Sequence, residues 1–442
     1  MNRTILLEAP WREPAAVLSA LADRPWTIGF LSGGPGARWS YVASEPEAVL
    51  VVEPQDATDA FAALRGLARE GELAEGGPPF QGGVAGLLSY DLADRIEVLD
   101  LPRLPGWPDL ACARYARLLA FDHETGRVQA IGRGETAAEA SSNAAAARAW
   151  LDLEPPVLAS FSANLSSDNG PAYERAVAEV VERIRAGEIF QANIARRWLG
   201  GMESADAPAE LLMRLAAASP SPFAAFLRLP EAALVSNSPE RFVQVRPVEG
   251  RLLAGTEPIK GTAPRGADAE QDRQLADALL ASIKDRAENL MIVDLMRNDL
   301  ARVCEPGTVT TPELFRLASF ANVHHLVSRV EGRLSPNRDA IDLLQAAFPP
   351  GSITGAPKVQ AMKVIRDLEA PRGPFFGSLF HLGVDGALDS SVLIRTAGLL
   401  RRQGGWHVEV RAGAGIVADS QPSAERVETE AKVSALARAV KG

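Results

Sequence analysis

Two acidic pairs share one spacing. Asp285 and Glu288 stand three residues apart in a stretch with helical periodicity, and Glu425 and Glu428 repeat the interval near the C-terminus, with Lys432 four residues beyond Glu428. Residues three and four apart share a helix face. The pairs read either as solvated surface with an i,i+4 Glu–Lys contact or as carboxylates converging on a hard cation. Mg2+ takes one or two carboxylates, keeps some water and leaves room for an anionic substrate. A lysine is the next candidate. Of 46 basic residues only six are Lys, at 260, 284, 358, 363, 432 and 441, and Lys260 enters a turn in Glu257-Pro258-Ile259-Lys260-Gly261-Thr262. An amine that loses its proton on desolvation becomes a nucleophile, which a guanidinium does not; the plainer reading is a surface lysine.

Other polar positions divide in the same way. Residues 412–418, Ala-Gly-Ala-Gly-Ile-Val-Ala, satisfy the dinucleotide pattern GxGxxA. Pro422 interrupts the helix that pattern needs, and the 24 residues after Ala418 cannot complete a βαβ unit. The stretch remains a glycine-rich turn whose backbone N–H groups could approach a carboxylate. Glu240, in Ser238-Pro239-Glu240, is a general acid or a turn carboxylate. Arg395 is expected on a strand, and facing inward it would need an anionic partner. His325 beside a strand-like run is more often a core histidine than a catalyst, and Gln191 is a neutral hydrogen-bonder with no titration role.

The elements that must position these groups are legible in outline. Pro171 opens an amphipathic helix whose apolar residues Tyr173, Val177, Val180, Val181 and Ile184 recur at helical spacing until Gly187. Further helices are expected at 136–151, 268–283, 285–303, 340–348, 356–368 and 423–440. Strands are expected at 232–236, 242–245, 252–253, 391–397 and 406–411, with turns at Glu249-Gly250 and Asp385-Gly386. Hairpins and helices follow no βαβ rhythm, so the fold class is α+β with antiparallel sheets. A segment rich in Ser, Asn and Asp at 160–170 reads as a connection between an N-terminal region, 1–155, and a second region, 171–442.

Composition narrows the classes. The 442 residues carry 46 basic and 56 acidic side chains, a formal charge of −10, with no basic block, which argues against nucleic acid as partner. An anionic substrate would therefore need a local positive charge. The five histidines form no HExxH and there is no GxxxxGK[ST], so zinc hydrolases and P-loop ATPases drop out. Cys112 and Cys304 show no metal spacing and fit a reducing cytoplasm. Neither a signal peptide nor a membrane span is expected.

Taken together the motifs resemble the chorismate-utilising enzymes, which include anthranilate synthase component I, aminodeoxychorismate synthase component I, and isochorismate and salicylate synthases. From 171 to 437 they run in order: GEIFQANIARR, SNSPERF, PIKGTAPRG, DRAENLMIVDLMRNDLARVC, NVHHLVSRVEG, AAFPPGSITGAPKVQAMKVI, SSVLIRT and RAGAGIVADSQPSAERVETEAK. The resemblance implies an anthranilate synthase component I-like fold around a central active-site cleft. It implies Glu288 and Glu428 as Mg2+ ligands, with Asp285 and Glu425 as outer carboxylates. Lys432, Gly413, Ala414 and Gly415 would hold the ring carboxylate, and Arg395 the enolpyruvyl carboxylate. Glu240 would be the general acid and His325 an active-site histidine, while Gly261, Thr262 and Gln191 complete the implied substrate-binding set.

Two positions separate the subfamilies. Isochorismate and salicylate synthases carry a Lys base where this chain has Gln191. Anthranilate synthases typically show PIAGT or PLAGT, whereas PIKGT resembles aminodeoxychorismate synthase component I, and GSITGAPK leans the same way. The sequence LLEA at 6–9 departs from the LLES that helps related enzymes bind tryptophan, and Phe375 replaces an aromatic with a polar tip in RGxYxG. The resemblance thus implies amination of chorismate at C4 through a Lys260 adduct, on the route to p-aminobenzoate and folate. With no glutaminase Cys-His pattern in the chain, a separate glutamine amidotransferase would deliver ammonia. The rivals are anthranilate synthase component I and, from another class, a non-catalytic subunit that scaffolds a glutaminase.

Overall fold

The computed structural model describes residues 3–34, 37–158, 161–167, 170–320 and 323–442. Two antiparallel sheets face one another and helices cover their outer sides, the α+β class expected. Among the described residues the larger sheet has twelve strands and the smaller ten. Both contain strands from 1–155 and from 171–442, so the division legible in the sequence is bridged twice by sheet hydrogen bonds. Strand Ile28–Leu31 pairs with Phe223–Arg228 in the larger sheet, and Gly83–Leu88 with Ser378–Gly383 in the smaller.

The central strands of the smaller sheet explain why their sequences lack a polar alternation. Along Gly83–Leu88, Val84 and Leu88 point to a core under the outer helices, whereas Ala85 and Leu87 point to the layer between the sheets. In Leu110–Tyr115, Leu110 and Cys112 face outward while Ala111, Ala113 and Tyr115 face inward. With both faces covered, both sets are apolar, and Arg114, paired with Glu47, is the polar exception in these two strands. Each such Leu or Val contributes about 1.5–3 kcal/mol by burial. A third core joins the helices Pro14–Leu21, Ala207–Ala218 and Pro422–Lys441 to the outer face of the larger sheet.

Most expected helices form within two residues of their expected ends. The one opened by Pro171 runs Gly170–Arg185 and buries Tyr173, Val177, Val180 and Val181. It stops at Gly187, whose φ of +78° few other residues adopt. Of the expected connection at 160–170, residues 160, 168 and 169 lie outside the described residues, and Ser166–Ser167 pairs with strand Gln191–Met202.

Two expectations are corrected. Residues 412–416 form no turn: they continue strand Gly405–Ile416, paired along its length with Gln191–Met202. A run of small residues resembles a turn in composition, but here it allows close packing inside a sheet. Residues 391–397 are not one strand. Leu388–Val392 belongs to the smaller sheet and Thr396–Arg402 to the larger, and Arg395 sits in the bend between them with φ +51°.

Candidate active site

Of the places where the chain crosses between the sheets, two lie side by side. One crossing is at Pro239 and Glu240, between strand Ala232–Ser238 of the larger sheet and Arg241–Val248 of the smaller; the other is the bend at Arg395. Main-chain bonds tie them: Asn237 N–H donates to Arg395 O at 3.0 Å and Val392 N–H to Glu240 O at 3.1 Å. Sheet hydrogen bonding lapses there, leaving room for side chains to face a cleft. Glu240 is buried, and burial raises its pKa, a shift opposed by the Ser352 hydroxyl and by Lys260, Lys432 and Arg395. Among the described residues the guanidinium of Arg395 makes no hydrogen bond or ion pair, and burial lowers its pKa while Glu240 pulls it back up. An unpaired, largely desolvated cation is ready for an anion.

Lys260 arrives by a different device. Strand Ile259–Pro264 pairs with Val323–Arg333, but the register shifts between Ile259 and Thr262, with Gly261 at φ +88°. Such a bulge re-aims a side chain out of the regular alternation. Lys260 Nζ donates to Ser352 O at 3.3 Å. Burial lowers its pKa, Lys432 lowers it further, and Glu240, Glu288 and Glu428 oppose the shift. A Cβ on Gly261 would stand 3.0 Å from the Asp285 Cβ, so this glycine lets the helix Ile283–Ala301 press close to the lysine.

That helix and the last one bring the four acidic residues to the rim. Burial raises the pKa of Glu288, with Lys260 and Lys284 opposing and Asp285 and Glu428 adding to the shift. Burial also raises Glu425, which Ser420 opposes and Glu428 reinforces. At Glu428 burial is outweighed by Lys432, Lys260 and Lys284, so its pKa falls. Lys432 bridges Glu428 at 2.7 Å and Gly413 O at 2.8 Å. Among the described residues no three of His, Cys, Asp or Glu form a ready metal cage. Hard oxygen donors from two helices at one mouth instead suit a cation that takes one or two carboxylates and completes its shell with water and substrate.

The floor is the glycine-rich strand. A Cβ on Gly415 would stand 3.1 Å from Gln191 Nε2 and 3.4 Å from Lys260 Nζ, and one on Gly413 would collide with Asn193 Oδ1. The Gln191 amide is buried, and among the described residues neither its oxygen nor its nitrogen has a partner; Asn193 Oδ1 is likewise unsatisfied. Buried orphan groups of this kind await a ligand or ordered water. His325 closes another side: its Nδ1 meets Thr262 Oγ1 at 2.9 Å. Burial and then Arg395 lower its pKa to about 4, against the pull of the Gly261 backbone, so it is neutral near pH 7. As a neutral ring it can position a group by hydrogen bonding but has no acidic proton to give.

The structure thus gathers Lys260, Glu240, Gln191, Gly415, Arg395, Lys432 and the acidic residues around one cleft, with Thr262 and His325 at its side. Sequence reasoning missed Ser352, which bonds Lys260 through its carbonyl and Glu240 through its hydroxyl; it also missed Asn193 and Lys284. Ser352 stood in GSITGAPK and Asn193 in IFQAN, stretches already noted for other reasons. Phe375 is buried in a core, its ring 5.2 Å from the Arg411 guanidinium. Residues 6–9 lie on the edge strand Arg3–Pro10 and do not line the cavity of about 670 Å3 formed between the sheets by Phe30, Trp39, Tyr41, Phe80 and His381.

A family described as chorismate binding enzyme matches residues 28–438. Aminodeoxychorismate synthase component 1 of Klebsiella aerogenes is 40% identical over 97% of each chain. Anthranilate synthase component 1 of Streptomyces coelicolor is also 40% identical, over 94% of this chain and 84% of the relative. The crystal structure of anthranilate synthase component I from Streptococcus pneumoniae superposes with a TM-score of 0.79 at 28% identity, covering 92% of this chain and 94% of that one. No helix among the described residues is long and apolar enough to cross a membrane.

Proposed function

The chain belongs to the chorismate-binding enzyme family, and on that premise we propose that it converts chorismate and ammonia to 4-amino-4-deoxychorismate. The observation that carries this reading is the amine of Lys260: it lies inside the cleft against Ser352 and beside Gln191 and Gly415, with its pKa lowered by burial. Relatives named aminodeoxychorismate synthase component 1, 37–40% identical over 96–97% of the chain, support the same product. Relatives named anthranilate synthase component 1 are similar to a comparable degree, and the amine at 260 is what favours the 4-amino product.

The chemistry follows from the positions. Arg395 takes the enolpyruvyl carboxylate, while Lys432 and the backbone of Gly413, Ala414 and Gly415 take the ring carboxylate. Mg2+, held by Glu288 and Glu428 with Asp285 and Glu425 outside them, would neutralise that carboxylate and fix its orientation when bound. Glu240, protonated, gives its proton to the C4 hydroxyl, which leaves as water. Neutral Lys260 attacks C2, the ring double bonds shift, and a C2 ammonium adduct forms. Ammonia then attacks C4, the double bonds shift back and Lys260 departs as the free amine. The new C4 ammonium returns a proton to Glu240 through solvent.

The designation component 1 among the relatives supports a separate subunit as the source of ammonia. We assign that role to a glutamine amidotransferase and the product to p-aminobenzoate and folate synthesis. The test is mass spectrometry of the protein quenched with chorismate and Mg2+ but no ammonia, then product analysis with ammonium salt. A chorismate-derived mass on the Lys260 peptide and 4-amino-4-deoxychorismate as product are expected. Anthranilate as the sole product overturns the reading, and no chorismate consumption at all would identify a scaffold.

A further inference from the structure

We propose that Lys284 is a tethered counter-cation of the rim carboxylates, held near Glu288 in the metal-free protein, released when a divalent ion binds, and so setting the affinity for that ion. The inference rests on the metal reading above. Three lysines approach the four acidic residues, and two of them are fixed. Lys260 is anchored on Ser352 O, and Lys432 is clamped between Glu428 at 2.7 Å and Gly413 O at 2.8 Å. Lys284 is not: among the described residues its one ionic contact is to Glu288 Oε1 at 3.8 Å, and its side chain is 66% exposed. Its charge nonetheless reaches both helices, since it acts on Glu288, Glu425 and Glu428.

Its position on the helix argues that the acidic cluster, not the helix, accounts for it. Ser282 caps Ile283–Ala301, which puts Lys284 at the second helical position, beside unpaired N–H groups. A cation there opposes the helix dipole, which favours carboxylates such as Asp285. Four carboxylates without a metal repel one another, and a long, flexible ammonium relieves that repulsion without closing the mouth. A divalent ion arriving between Glu288 and Glu428 meets this charge and must displace it.

The experiment is calorimetric titration of Mg2+, without chorismate, into the full-length wild-type protein, Lys284→Met and Lys284→Arg in low-salt buffer. Lys284→Met should bind Mg2+ roughly three- to tenfold more tightly, and the gain should shrink towards nothing at about 0.5 M salt. Lys284→Arg should match the wild type. Unchanged or weaker binding by Lys284→Met overturns the proposal while leaving the metal reading intact. A wild type that binds no Mg2+ overturns both.

Discussion

Glu240 and Arg395 mark two neighbouring places where the chain leaves one sheet for the other, and each crossing hydrogen-bonds the other through main-chain atoms 3.0 and 3.1 Å apart. The carboxyl of Glu240 and the guanidinium of Arg395 are therefore held by backbone, not by contact with one another. Ser352 adds a second tie, since its carbonyl receives Lys260 Nζ at 3.3 Å and its hydroxyl bonds Glu240. Lys260, Glu240 and Arg395 are thus fixed relative to each other before substrate arrives, and in the roles proposed for them that lowers the entropic cost of reaching the transition state.

Lys260→Ala should redirect the reaction and leave binding largely intact. Without the amine, ammonia attacks C2 directly and the product becomes anthranilate, so 4-amino-4-deoxychorismate should fall at least about a hundredfold. Lys260→Arg should not restore it, because a guanidinium keeps its proton. Chromatography of the products with ammonium salt as nitrogen source reads both outcomes.

The pH profile should be bell-shaped and lose one limb in Glu240→Gln. Reaction needs Lys260 neutral and Glu240 protonated at once; burial lowers the first pKa and raises the second, drawing the two towards each other. Activity rises with pH while one proton is shed and falls once the other is lost, the two apparent values belonging to the coupled pair. In Glu240→Gln no proton remains to be lost at high pH, so kcat/KM should rise and level off, with a rate lower by roughly 10²–10⁴-fold.

What the sequence made legible follows the range of the interactions concerned. The helix Gly170–Arg185 needs only its own apolar spacing, Pro171 and Gly187, and it was readable. The lysine was readable as an anomaly of composition. The pairing of Gln191–Met202 with Gly405–Ile416 joins residues some two hundred apart, so no local window distinguishes strand Gly413–Gly415 from a turn. The bend at Arg395 was hidden for a similar reason: Val392-Leu393-Ile394 has strand composition on both sides of a change of sheet. Orphan amides such as Gln191 emerge only when burial is known.

Gly415→Ala should separate binding from folding. The added methyl would stand 3.1 Å from Gln191 Nε2 and 3.4 Å from Lys260 Nζ, within reach of side chains that can shift by tenths of an ångström. Gly415 has no left-handed φ to forbid alanine, so the unfolding midpoint should change little. The methyl would occupy the space that the proposed function gives to the ring carboxylate, and KM for chorismate should rise about tenfold or more. Unchanged KM would remove this strand from the binding surface.

His325 should make the protein sensitive to mild acid. In the fold its pKa is held at about 4, by burial first and then by Arg395, while the unfolded chain protonates near 6.5. Between those values the unfolded state binds more protons, so stability is full above about pH 6.5 and is lost as pH falls towards 4. At pH 5 the cost is about 2 kcal/mol relative to pH 7. Glutamine can keep a hydrogen bond to Thr262 but takes no proton. The loss of unfolding free energy between pH 7 and pH 5, from urea titrations, should therefore be about 2 kcal/mol smaller in His325→Gln than in the wild type. An equal loss in both proteins would mean that His325 is solvated well enough to titrate normally in the fold, and its neutral role beside Thr262 would have to be given up.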